Sequence, residues 1–140
     1  MSSMDPHGHK IYDFAVVNYT NTTINGGKIG TIYTWANANL TIKGATVGTI
    51  DSKIITGTKN RKLLIEAGSI VDRINVVNND VYTPGLVIKN GATVKELNIS
   101  KITKSQKIVI ENGATIEKVI TADSELTLEE AVNNGLLVIS

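Results

Sequence analysis

Three groups of residues in this chain are of types and at spacings that could do chemistry. The first is His7-Gly8-His9, an H-x-H pair. Two imidazoles so spaced can ligate Zn or Fe, and three such pairs gathered around an axis would complete an octahedral shell. The commoner reading of such a pair in a polar arm is a disordered or tag-derived segment. The second is Tyr33 and Trp35, joined by Tyr19, whose amphipathic rings could stack on sugars. The plainer role for them is to cover the first structural unit or to sit in a subunit contact. The third is the carboxylate series Asp72, Glu96 and Glu117, each beside a cation: Arg73, Lys95 or Lys118. Opposite charges side by side suit a solvated ladder better than a general acid. The chain has no P-loop, no dinucleotide fingerprint and no Ser/His/Asp set. The sequence therefore predicts a non-enzymatic protein with no catalytic residue and no cofactor, His7 and His9 being its one candidate metal pair.

The elements that must position these groups are set by a repeat. Gly113-Ala114-Thr115-Ile116-Glu117-Lys118-Val119 recurs as Gly91-Ala92-Thr93-Val94-Lys95-Glu96-Leu97, as Gly68-Ser69-Ile70-Val71-Asp72-Arg73-Ile74 and as Gly44-Ala45-Thr46-Val47-Gly48-Thr49-Ile50. A looser copy is Gly26-Gly27-Lys28-Ile29-Gly30-Thr31-Ile32. The motif glycines are separated by 18, 24, 23 and 22 residues. A period of roughly twenty residues marks stacked supersecondary units. Each of the four clear copies has an apolar-x-apolar lead-in: Leu40/Ile42, Leu63/Ile65, Leu86/Ile88, Ile108/Ile110. Such alternation, rich in Ile, Val and Thr, is a strand signal. The turn that follows ends on glycine, which accepts positive φ without steric cost.

Strand, glycine corner, strand, corner, strand describes one coil of a parallel β-solenoid. Coils stack at about 4.8 Å, so equivalent residues lie over one another and the apolar ones fill the interior. A leucine-rich repeat would need spaced Leu and an Asn ladder, and a left-handed β-helix would need strict hexapeptides. The sequence predicts an all-β fold: a single-stranded parallel β-helix, right-handed, of about five to six coils. An intertwined β-prism, with three chains sharing each layer, is the alternative.

At 140 residues the chain is one domain. A formal net charge of +1 and no Lys/Arg cluster give no field that favours nucleic acid or an anionic membrane. There is no Cys, so disulfides and cysteine ligation are excluded. No apolar run is long enough to span a bilayer. Residues 1–10 are polar and irregular, with no apolar core of a secretory signal. Residues 11–123 form the solenoid, and residues 124–140 a cap. Within that cap Thr127, Glu130 and Gly135 bracket a short helix as N-cap, capping-box partner and terminal glycine. A last strand runs from Leu136 to Ile139. An atypical terminal unit is what a solenoid needs to cover its open end.

One stripe breaks the expected pattern. Between the two inward residues of each first strand lies Thr41, Leu64, Val87 or Val109. In a solvated monomer this column should be polar, yet three of the four are apolar and would form one ridge. Contiguous exposed apolar surface marks an interface. The sequence predicts that Leu64, Val87 and Val109 pack against identical chains around a threefold axis, unless a loop such as 78–85 covers them. The later strand is ordinary, with Asp51, Asn75 and Asn98 facing out.

The repeat apolar-x-apolar-x-x-Gly-Ala-Thr-Val-x-x-apolar, clear from Leu40 to Val119, resembles β-helical segments of phage fibre, spike and decoration proteins and of bacterial surface-layer-associated proteins. It covers somewhat more than half the chain. The resemblance implies a structural or adhesive role, on a virion or a bacterial cell surface. A homotrimeric virion module fits the ridge and the absence of a signal. A glycan-binding adhesin segment, resting on Tyr33 and Trp35, is the alternative, with a cell-surface glycan or a virion protein as partner. A β-helical polysaccharide lyase or hydrolase is a remote third, opposed by chain length and by the want of clustered acids.

Overall fold

Alternating apolar residues ahead of each glycine corner form strands, and the corners turn those strands into coils. The computed structural model describes residues 3–4, 10–11, 15–18, 21–34, 39–52, 62–78, 85–102 and 108–140. Near the N-terminus β1 (Ser3–Met4) and β2 (Lys10–Ile11) pair antiparallel. Then follow β3 (Ala15–Asn18), β4 (Thr22–Asn25), β5 (Lys28–Thr34), β6 (Leu40–Lys43), β7 (Thr46–Ser52), β8 (Lys62–Ile65) and β9 (Ile70–Asn78). The chain ends with β10 (Gly85–Ile88), β11 (Thr93–Ile102), β12 (Ile108–Ile110), β13 (Thr115–Ile120), β14 (Glu125–Leu126), α1 (Leu128–Asn133) and β15 (Val138–Ile139).

Two long sheets result. The first stacks β4, β6, β8, β10, β12 and β15, and the second stacks β3, β5, β7, β9, β11, β13 and β14. Every pairing in both is parallel except β13 with β14. The protein is a parallel β-solenoid whose rungs follow one another along a single chain.

The lead-in positions stack as the repeat predicts. Leu40 lies under Leu63, Leu63 under Leu86 and Leu86 under Ile108. Ile42, Ile65, Ile88 and Ile110 form the parallel column beside them, all fully buried. From the second sheet, Val47/Ile50, Val71/Ile74, Val94/Leu97 and Ile116/Val119 close the interior. The pairs are three residues apart because the strand bends between them. The register runs Val94 to Ile116 and resumes at Glu96 to Lys118, passing over Lys95 and Glu117. That bend gives each rung a third wall.

The corners are turns that need positive φ at the third position. Gly44, Gly68, Gly91 and Gly113 have φ of 65°, 82°, 87° and 97°. Backbone bonds from Ser69 N to Glu66 O, Ala92 N to Lys89 O and Ala114 N to Glu111 O close three of these turns. The next residue points inward and must be small. Ala45, Ser69 and Ala92 are each 1% exposed. The Ser69 hydroxyl donates to Ile42 O and accepts from Gly44 N, both at 3.0 Å, so its burial leaves no polar atom unsatisfied.

The expected five to six coils reduce to about three full turns. Leu40, Leu63, Leu86 and Ile108 are separated by 23, 23 and 22 residues and span those turns. Below them, the step from Thr22 to its partner Leu40 takes only 18 residues, so that rung is shorter than those above it. Above them, Thr121–Ser124 reverses the chain, and β14 pairs back antiparallel on β13. α1 then carries the capping box expected from the sequence. Thr127 N donates to Glu130 Oε1 at 3.0 Å, and Glu130 N donates to Thr127 Oγ1 at 3.2 Å. Ala131 and Leu137 are buried over the last rung, and β15 ends the first sheet by pairing with β12.

Candidate interaction face

The outer surface of the first sheet is built by strand alternation. With Leu40 and Ile42 inside, Thr41 and Lys43 face out. The same parity in later rungs makes two outer columns. One reads Thr41, Leu64, Val87, Val109, Val138, with adjacent members directly paired in register. The other reads Lys43, Glu66, Lys89, Glu111, two residues further along the chain in each rung. Its ladder is continued by backbone bonds from Glu66 N to Ile42 O, Lys89 N to Ile65 O and Glu111 N to Ile88 O, each 2.8 Å.

The structure thus brings Leu64, Val87 and Val109 together as one ridge and extends it to Val138, which is 47% exposed. The three inner members are half-buried, because residues stacked at rung spacing shield one another's flanks. The covering loop considered from the sequence falls at 79–84, outside the described residues.

Beside the ridge the charges alternate up the stack. Lys89 Nζ lies 3.7 Å from Glu66 Oε1, and Glu111 Oε1 accepts from Asn90 N at 3.0 Å. The second sheet carries two more alternating columns. Asp72, Lys95 and Glu117 follow one another at the bend, with Lys95 Nζ 3.4 Å from Asp72 Oδ1. Arg73, Glu96 and Lys118 follow at the next position, in register, with Arg73 Nε 2.7 Å from Glu96 Oε2. The acidic series Asp72, Glu96 and Glu117 is therefore not a vertical stack. Glu96 sits one column over and is held by Arg73.

These two columns stop at Gly48 and Thr49, which carry no charge. A side chain at position 48 would meet Gly30 O at 2.5 Å, so the rung below closes against bare backbone there. The step leaves a shallow depression of about 450 Å³ lined by Gly48, Thr49, Asp72, Arg73, Lys95 and Glu96. Its four charged side chains are already engaged with one another in the two ion pairs.

Tyr33 is half-buried, stacked on Val17 in the outer column that continues as Asp51, Asn75, Asn98 and Ile120. Asn98 Nδ2 donates to Asn75 Oδ1 at 3.1 Å, an amide rung that the outward-facing pattern foreshadows. Trp35, Tyr19, His7 and His9 lie outside the described residues. Among the described residues no cluster of three metal-ligating side chains occurs, and no helix is long and apolar enough to cross a membrane. Comparison with family models, curated proteins and solved structures finds no match.

The alternating charge columns were missed in reading the sequence, although their signal is present there. Aligning the repeats on their lead-in residues Leu40, Leu63, Leu86 and Ile108 puts Lys43, Glu66, Lys89 and Glu111 at one position, three residues further on.

Proposed function

We propose that this chain is a non-enzymatic structural module that acts as a homo-oligomer through the outer face of its first sheet. The observation that carries this is the in-register apolar column Leu64–Val87–Val109–Val138 on an outward face. The same positions could be Thr, as at Thr41, with no loss to the stack. An apolar column kept on the outside serves contact with another surface. The carboxylates support the reading too, since Asp72, Glu96 and Glu66 are each tied to a cation in a ladder that stiffens the solenoid. The resemblance of the repeat to phage fibre, spike and decoration segments, and to surface-layer-associated proteins, supports a place on a virion or a bacterial surface.

The test is the solution mass of the chain by light scattering across a dilution series, beside Val87→Asp. The expected result is an oligomer that Val87→Asp converts to monomer with its β-rich circular dichroism unchanged. Monomers for both proteins at every concentration would overturn the proposal.

A further inference from the structure

The charge column beside the ridge carries information about geometry. Read up the stack it is plus, minus, plus, minus: Lys43, Glu66, Lys89, Glu111. Read downward it is minus, plus, minus, plus. A four-membered alternating column is therefore complementary to an inverted copy of itself. The two alternating columns on the second sheet lack this property. Asp72, Lys95 and Glu117 read minus, plus, minus in both directions, and Arg73, Glu96 and Lys118 read plus, minus, plus. In full overlap with an inverted copy, each of those would set like charge against like. Among the described charge columns, only the one that flanks the apolar ridge is self-complementary.

We infer that the partner of this face is a second copy of the chain, docked face to face with its solenoid axis antiparallel, about a twofold axis that runs along the strands. That operation keeps each column opposite its own kind while reversing the order of the rungs. Ridge meets ridge, with Leu64 opposite Val87 of the second copy and Thr41 opposite Val109. Charge column meets charge column, with Lys43 opposite Glu111 and Glu66 opposite Lys89. Both columns are used at once, and the interface is isologous, as a closed dimer requires. A parallel arrangement does otherwise, whether a twofold or the threefold expected from the ridge in the sequence. It leaves every rung level with its own copy, Lys43 level with Lys43, and carries the charge columns to opposite flanks of the ridge. The two charge columns then never face each other across the interface. The Glu66–Lys89 ion pair explains why neighbours within one column differ in sign. It does not explain why the column beside the ridge is the one that inverts onto itself.

The face is narrow. Five steps from Thr23 to Val138 make it about 24 Å tall, and two outer columns wide. That is well short of the roughly 800 Å² per partner of a standard stable interface. The dimer should dissociate on dilution, and its charges should act on specificity more than on raw affinity.

This inference rests on the oligomeric reading above, and its test separates the two. Full-length chains would be compared by sedimentation equilibrium: wild type, an acidic variant (Lys43→Glu with Lys89→Glu), a basic variant (Glu66→Lys with Glu111→Lys), and an equimolar mixture of the variants. The expected outcome is a wild-type species of twice the chain mass. Each variant alone should associate at least tenfold more weakly, and the mixture should dimerise again. A wild-type trimer, variants that self-associate as well as wild type, or a mixture that stays monomeric would overturn the antiparallel dimer while leaving an oligomeric module intact. A wild-type monomer throughout would overturn both.

Should a charge variant lose its fold, a second measurement uses the chain's lack of cysteine. Thr41→Cys mixed with Val109→Cys should be joined by a short bis-maleimide, and Val109→Cys alone should not. Joining of Val109→Cys to itself would show a parallel arrangement and overturn the inference.

Discussion

The two long sheets present the same interior and different exteriors. Inside, the first contributes Leu63, Ile65, Leu86 and Ile88, and the second contributes Val71, Ile74, Val94 and Leu97, all buried in one core. Outside, the second sheet is polar in its middle rungs apart from Ile70, with the Asp72–Lys95 and Arg73–Glu96 pairs and the Asn75–Asn98 amide bond. The first sheet sets an apolar column beside a charged one. Stacking constrains the inside identically on every wall, because each inward residue must fit those one rung above and below. The outside is constrained only by solubility and by partners. A wall whose outside departs from solubility is the wall to examine for a partner.

If the interiors are equivalent, equal truncations on the two sheets should cost alike. Ile88→Ala on the first sheet and Leu97→Ala on the second, both fully buried, should each lose about 2–5 kcal/mol in urea unfolding. A large difference between them would break the comparison, by showing that one sheet forms the more cooperative half of the core. The corner joining the walls should be next in sensitivity. Ser69→Ala removes the hydroxyl that joins Gly44 N to Ile42 O, leaving the buried Ile42 carbonyl with Glu66 N alone and the part-buried Gly44 amide without its side-chain acceptor. About 1–3 kcal/mol of stability should go, read by the same unfolding curves. A neutral Ser69→Ala would show that the alanines at 45 and 92 describe this corner better than the hydroxyl does.

The smallest effect should come from the polar exterior. Arg73 is half-exposed, and its bond to Glu96 is screened by solvent, so Arg73→Ala should cost about 0.2–1 kcal/mol and leave the solution mass unchanged. Val87→Asp on the other wall should do the reverse, altering mass far more than stability. If Arg73→Ala changed the mass as well, the contrast between the two exteriors would fail.

Much of this architecture was legible in the repeat. The glycine spacing, the apolar-x-apolar lead-ins and the small residue after each corner predict the stack. Thr127 and Glu130 predict the cap of α1. The ridge was visible as well, since parity along a strand places Leu64, Val87 and Val109 on one outer face. The number of full turns was less legible. A glycine motif marks a corner whether or not a complete circuit follows it, and only backbone pairing shows that the chain doubles back after Ile120. The charged ladder was legible too, since aligning the glycines sets Glu96 at the position of Arg73 and Lys118 and Lys95 at that of Asp72 and Glu117, as the register has them.

The sequence alone determined which residues face inward, because burial in a stacked coil repeats with the period and each apolar position is written out at every turn. Only the tertiary structure decided which side chains are neighbours between turns. Residues some 23 positions apart become adjacent only once the register is set, and the sign of one charge relative to the next is a property of that register. The alternating positions are written in the repeat, but they become one column beside the ridge, with a direction in which a second copy can dock, only in the folded stack.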